Sequence, residues 1–230
     1  MTTRRDYLFG LGTATTAALA GCAGVLGGDG SSTDDDGGQS LADHPATAGL
    51  DAQPRHGPTP SEATGVIVAF EDPSCPRCRT FEQNTVPEVR SKLVDPGDAA
   101  FVFRGYPVVY DWGEPAARAL EAVYAESAAA HWQLAAHYFA QQDDFRGAGR
   151  EQVYPRTRQF LDANTELDGE AVVAAAENGT VDDAVGTDLD AGEAASISAT
   201  PTVLLFRDGQ YRTRYTGSVS FSDIETALGL

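Results

Sequence analysis

Lysine is almost missing from this sequence. Lys92 is the one lysine among 16 basic residues, which face 34 acids for a net charge of −18. Phosphate recognition needs clustered Lys and Arg, so this balance excludes a nucleic-acid binder. It also excludes polybasic attraction to anionic lipid. Cysteine is scarce too: Cys22, Cys75 and Cys78 are too few for a disulfide scaffold of 230 residues. Methionine occurs only at Met1. No apolar run is long enough to span a membrane; the longest candidate, Leu8–Ala20, falls well short of about 30 Å of hydrocarbon.

What is present supports a folded domain. The hydrophobic fraction is 42%, enough for a real core, and the length suits one domain with extras. The acids are spread from Asp6 to Glu225, with most of them between Asp29 and Asp223, so no single charged tail explains them. Dense carboxylates with one lysine resemble the proteome of an extreme halophile. In molar salt the Debye length is about 3 Å, and such repulsion is nearly silent.

The first 21 residues read as an address. Thr3-Arg4-Arg5-Asp6-Tyr7-Leu8 resembles a twin-arginine export signal. Leu19-Ala20-Gly21-Cys22 resembles a lipobox, which implies a lipid on Cys22; the plainer alternative is an ordinary signal peptide. From Cys22 to residue 63 the chain is mostly Gly, Ser, Thr, Asp and Pro, including Asp34-Asp35-Asp36 and His56-Gly57-Pro58-Thr59-Pro60. This composition predicts a flexible tether across residues 22–63.

Periodic signals are confined to residues 64–230. Gly65–Phe70 and Ala100–Arg104 read as buried strands. Between them, Phe81, Val86, Val89 and Leu93 follow helical spacing until Asp95-Pro96-Gly97. From about residue 107 to 196 the pattern is helical, with Pro115 at a first helical position, Asp168 as a cap and Gly179 past a helix end. Thr202–Phe206 and Tyr211–Thr216 form a hairpin around Asp208-Gly209. A last helix runs from Ser222, its expected cap, to Leu228. The class is therefore α/β, with a helical insertion between the second strand and the strand after Thr200-Pro201.

The chemistry concentrates at Cys75-Pro76-Arg77-Cys78. A CxxC pair is also half of a zinc site. Here no second pair exists, and His44, His56, His131 and His137 are scattered, so a four-cysteine site within one chain is ruled out. The pair follows a buried strand and opens a helix, where first-turn amides and the helix dipole lower a thiol pKa. Arg77, between the cysteines, and Arg79 are expected to favour the Cys75 thiolate further.

The strand, the CxxC at a helix start and the late Thr200-Pro201 together resemble the thioredoxin superfamily. The long helical block is similar to that of its DsbA-like branch. The resemblance implies a thioredoxin-like fold, with Pro201 in a cis peptide bond beside the Cys75 sulfur and the Thr200 backbone pairing with substrate. It implies a thiol-disulfide oxidoreductase whose only redox group is the Cys75–Cys78 pair, with no metal and no other cofactor. Cys75 would be the exchanging thiol and Cys78 its partner, with Pro76 and Arg77 tuning the thiolate. Expected partners are cysteine-containing exported proteins, a quinone-linked membrane redox partner, and the membrane itself through Cys22. One departure stands out: the branch's buried acid six residues before the first cysteine is Ala69 here, and Glu71 and Asp72 read as solvated. The leading reading is an exported, membrane-anchored oxidase on the outer face. The alternatives are a reductase of the same fold and, from another class, a copper-binding lipoprotein.

Overall fold

Strand-forming runs and their alternation build the frame of the structure, a computed structural model that describes residues 38–230. The twin-arginine stretch, the lipobox and Cys22 lie outside the described residues. A five-stranded sheet has the order β1 (Arg55–His56), β3 (Ala99–Gly105), β2 (Gly65–Glu71), β4 (Thr202–Arg207) and β5 (Gln210–Thr216). Strands β2 and β3 are parallel and buried along their whole length. Strand β4 runs antiparallel to β2 and pairs with β5 across the Asp208-Gly209 turn. Both turn residues have positive φ, 51° and 70°, the geometry of a tight hairpin.

Period-two alternation on β2 assigns its faces. Ile67 and Ala69 pack with Phe81, Val89, Ile224 and Leu228. These come from α1 (Pro76–Asn84), α2 (Val86–Val89) and α9 (Phe221–Leu228). Val66, Val68 and Phe70 face the other layer, with Ala191, Ala195 and Ile197. The helical insertion comprises α3 (Gly113–Glu126), α4 (Ala128–Ala140), α5 (Gln142–Ala148), α6 (Val153–Asn164), α7 (Gly169–Glu177) and α8 (Asp182–Ala194). Its core, with Trp112, Leu134, Tyr138 and Phe145, continues directly onto Cys75 and Cys78. The active-site turn is thus seated on the insertion as well as on the sheet.

Three expectations need correction. The tether does not extend to residue 63: the chain is folded onto the domain from Gly38 onward. Short 3-10 turns at Pro45–Thr47 and Leu50–Ala52 lead to β1 (Arg55–His56), which pairs antiparallel with β3. Few apolar anchors suffice, because the segment covers sheet edges that would otherwise expose unpaired backbone. Ser40 bridges to Gln210 on β5, and the buried His44 ring stacks on Tyr211 at 5.0 Å. At the opposite edge, His56 stacks on Trp132 at 3.9 Å. Second, α9 is capped by Ser220, which accepts from the Asp223 amide, so Ser222 lies inside the helix. Third, α3 starts at Gly113, which makes Pro115 its third residue. Asp168 does cap α7, accepting from the Glu170 and Ala171 amides.

Among the described residues no helix is long and apolar enough to cross a membrane.

Candidate active site

At the end of β2 the chain turns through Asp72-Pro73-Ser74, and Pro76 opens α1 with its fixed φ and its missing N–H. Cys75 is the N-cap, with extended backbone (φ −79°, ψ 120°), so the first-turn amides of α1 point toward its sulfur. Cys75 and Cys78 are both free thiols and both buried. The Cys75 Sγ lies 3.2 Å from the Thr200 carbonyl oxygen, and the Thr200–Pro201 peptide is cis. The chain therefore brings Cys75, Cys78, Thr200 and Pro201 together from two ends of the domain.

The turn is fixed from both sides. The Asp72 carboxylate accepts from the Ser74 amide (2.7 Å) and hydroxyl (2.6 Å), and from the Val108 (2.9 Å) and Val109 (2.7 Å) amides. Ser74 Oγ accepts in turn from the Tyr110 amide at 3.1 Å. Gly113 is required beside this bracket, since a Cβ there would meet Asp72 Oδ1 at 2.5 Å. From the opposite side, the Gln142 amide donates to the Pro73 (2.7 Å) and Cys75 (2.9 Å) carbonyls.

The two sulfurs are electrostatically unequal. The Cys75 pKa is lowered to about 6. The main cause is the Cys78 thiol donating to it; burial opposes, and the Cys78 and Arg77 amides assist. Burial, together with that same donated hydrogen bond, pushes Cys78 well above the ordinary thiol range. This is the polarity of an attacking thiolate and a protonated resolving thiol. The Arg77 side chain is exposed, and its contribution to Cys75 comes through its backbone N–H. Arg79 is tied up in an ion pair with Asp143 at 3.2 Å.

Glu71 and Asp72 are fully buried, against the expectation that both are solvated. Glu71 continues the face of Ala69 two residues further along β2, so the strand's alternation carries an acid to the inside. Burial raises the Glu71 pKa well above the carboxylate range, and the neighbouring Glu82 raises it further. Burial likewise lifts Glu82 to about 7. Sequence reasoning missed both acids; period two on β2 would have found Glu71, whereas nothing local marks Glu82 or Gln142.

A groove of about 490 Å³ opens beside Cys75, between Pro76 and Arg77, Val108 and Val109, and Ser198 to Thr200. Val108, Val109 and Tyr110 are 51%, 41% and 40% exposed, three of the four large hydrophobic side chains exposed among the described residues. A larger cavity of about 770 Å³ lies around Leu41, Leu50 and Pro60 and contains neither sulfur. Its size alone does not make it the site.

Comparison with known proteins agrees with this geometry. A sequence-family profile described as Thioredoxin matches residues 59–227. Disulfide bond formation protein D of Bacillus subtilis (strain 168) is 27% identical over 143 residues. That match covers 62% of this chain and 63% of the relative, so the chain spans somewhat under two thirds of the relative's length. The crystal structure of oxidised BdbD from Bacillus subtilis superposes with a TM-score of 0.66 at 23% identity, covering 84% of this chain and 97% of that one. Wolbachia pipientis alpha-DsbA1 gives 0.64 at 18% identity, covering 77% and 89%. At these identities the structural likeness establishes the fold.

Proposed function

The chain belongs to the thioredoxin family, and from that premise we propose that it is an extracytoplasmic thiol-disulfide oxidoreductase that oxidises protein thiols through Cys75 and Cys78. The observation that carries this reading is the unequal pair: Cys75 lowered to about 6 beside the Thr200 carbonyl, and Cys78 buried and raised.

In the oxidised enzyme, a client thiolate attacks the Cys75 sulfur. The Cys75–Cys78 bond breaks, a client–Cys75 disulfide forms, and Cys78 leaves as a thiolate. With its raised pKa, Cys78 takes up a proton, and the Glu71–Glu82 pair, itself protonated well above the carboxylate range, is the source. A second client thiolate then attacks the client sulfur of the mixed disulfide. Cys75 departs, and its low pKa makes it a good leaving group. The client gains a disulfide, and the enzyme is left with the Cys75 thiolate, the Cys78 thiol and an acid pair that regains its proton from solvent.

The open groove suits an extended client segment laid beside Thr200 and pairing with its backbone like an added strand. Reoxidation is assigned to a quinone-linked membrane partner. Lipid attachment at Cys22, if the lipobox is cleaved, would hold the enzyme on the outer face of the cytoplasmic membrane near that partner. The direction of exchange follows from thiolate stability: favouring the Cys75 thiolate favours the reduced enzyme and makes the disulfide more oxidising.

The test is oxidation of a reduced dithiol peptide by the oxidised protein, with Cys78→Ser used to trap client adducts in cells. Oxidation of the peptide and adducts dependent on Cys75 support the reading. Efficient disulfide reduction without peptide oxidation would favour the reductase. Copper retention through dialysis with no exchange activity would replace the redox assignment altogether.

A further inference from the structure

Gln142 opens α5, the helix of the insertion that sits against the CxxC turn, and is only 4% exposed. Its side-chain amide reaches two carbonyls of that turn, Pro73 at 2.7 Å and Cys75 at 2.9 Å. The Cys75 carbonyl also accepts the helical N–H of Arg79 at 3.1 Å, so both of its lone pairs are engaged. The Cys75 amide is held as well, by the Asp72 carbonyl at 2.9 Å. The peptide units on either side of Cys75 are therefore fixed, and with them the direction of its Cα–Cβ bond.

We propose that Gln142 is a positioning residue for the exchange reaction, holding the Cys75 peptide so that the sulfur stays at Thr200 and in front of the α1 amides. The inference rests on the exchange reading given above. Two features make Gln142 more than a satisfier of buried carbonyls. Its contacts fall on the reactive residue itself and on the residue two before it, not on a remote loop. Its own seat is rigid: Phe145, one turn further on, stacks on Trp112 at 5.4 Å, and Asp143 pairs with Arg79 at 3.2 Å. A fixed donor at the Cys75 carbonyl also offsets the negative end of that dipole close to the sulfur, which favours the thiolate.

The groups that share the electrostatics of Cys75 are Cys78, Glu71, Thr200 and the Arg77 amide, and substituting Gln142 replaces none of them. Gln142→Leu keeps the volume and removes the donor. Gln142→Glu keeps the shape and presents a carboxyl to two carbonyl oxygens. The experiment titrates the Cys75 thiolate by its ultraviolet absorbance in the full-length reduced protein. The same samples are equilibrated with glutathione and melted thermally.

One net hydrogen bond corresponds to about half to one pH unit. Gln142→Leu should raise the thiolate midpoint by that amount. The glutathione equilibrium at neutral pH should then shift about three- to fivefold toward the disulfide form. Gln142→Glu should raise the midpoint further. A lowered melting temperature with an unmoved midpoint and equilibrium would reduce Gln142 to a structural residue and overturn the proposal. Should the leucine variant not fold, Gln142→Asn retains the amide but shortens its reach; a wild-type midpoint there would equally overturn it. A wild-type protein whose Cys75 titrates in the ordinary thiol range, or that performs no exchange, would instead remove the parent reading.

Discussion

Ionisation of Cys75 should be visible as pH-dependent stability of the reduced protein. In the fold its pKa is about 6, against 9.0 for the unfolded reference. A depressed folded value contributes stability that is complete above the unfolded value and is lost as pH falls through the folded one. The window is therefore between about pH 6 and 9, with stability rising as pH rises. From these two values the contribution is about 1.4 kcal/mol at pH 7 and about 2.7 kcal/mol at pH 8. The sulfur lines an open groove, and solvent screening brings these to about 1 and about 2 kcal/mol. Cys78, whose value is raised, acts only above the ordinary thiol range.

Other groups pull the opposite way. Burial raises Glu82 and Asp188 to about 7 and Glu121 to about 8, so their share is intact below the normal carboxylate range and lost as pH climbs through those values. The assay must therefore compare reduced wild type with reduced Cys75→Ser, which share that background. Urea denaturation under reductant, followed by tryptophan fluorescence, gives both stabilities at pH 6, 7 and 8. Wild type should gain on the variant by about 1 kcal/mol per pH unit. A difference that stays flat across this range would refute the low pKa of Cys75 and the role built on it.

Further expectations can be checked together. Cys75→Ser should abolish exchange, whereas Cys78→Ser should accumulate client adducts resolvable on non-reducing gels. Glu71→Gln should slow the step that protonates Cys78 and alter the pH–rate profile while Cys75 still titrates low; an unchanged profile would remove Glu71 from proton transfer. Glu121→Gln should lessen the stability lost between pH 5 and 8 in the oxidised protein, measured by thermal melts, because it replaces a buried carboxyl facing Asp188. Trp132→Ala removes the ring on which His56 stacks and should cost about 2–3 kcal/mol. It should also expose the 53–57 stretch to proteolysis. Cys22→Ala should release the protein from membranes if the lipobox reading holds.

The sheet and the reactive pair were legible because their signals are local. Uninterrupted apolar runs mark β2, β3 and β4, Asp208-Gly209 marks the hairpin, and the pair declares itself by spacing. What was illegible depends on distant contacts. Residues 38–63 look like a tether because their anchors are sparse, yet Ala46 and Leu50 pack on the sheet face shared with α8, His44 packs against Phe206 and Tyr211, and His56 stacks on Trp132 of α4. Arg77 and Arg79 drew attention as charges near a thiol, but Asp143 on a helix sixty-four residues away pairs with Arg79. The strongest influence on Cys75 is the proton on Cys78. Glu71 was misread because hydrophilic character outweighed strand parity, and parity decides which way a side chain points at a buried strand end.

The most direct test of the central claim is the reduction potential of the Cys75–Cys78 couple, measured against glutathione at high salt. A stabilised Cys75 thiolate predicts an oxidising couple, more positive than about −200 mV and on the side of DsbA at about −120 mV. A value near about −270 mV, where thioredoxin lies, would contradict the oxidase and turn the same geometry to reduction.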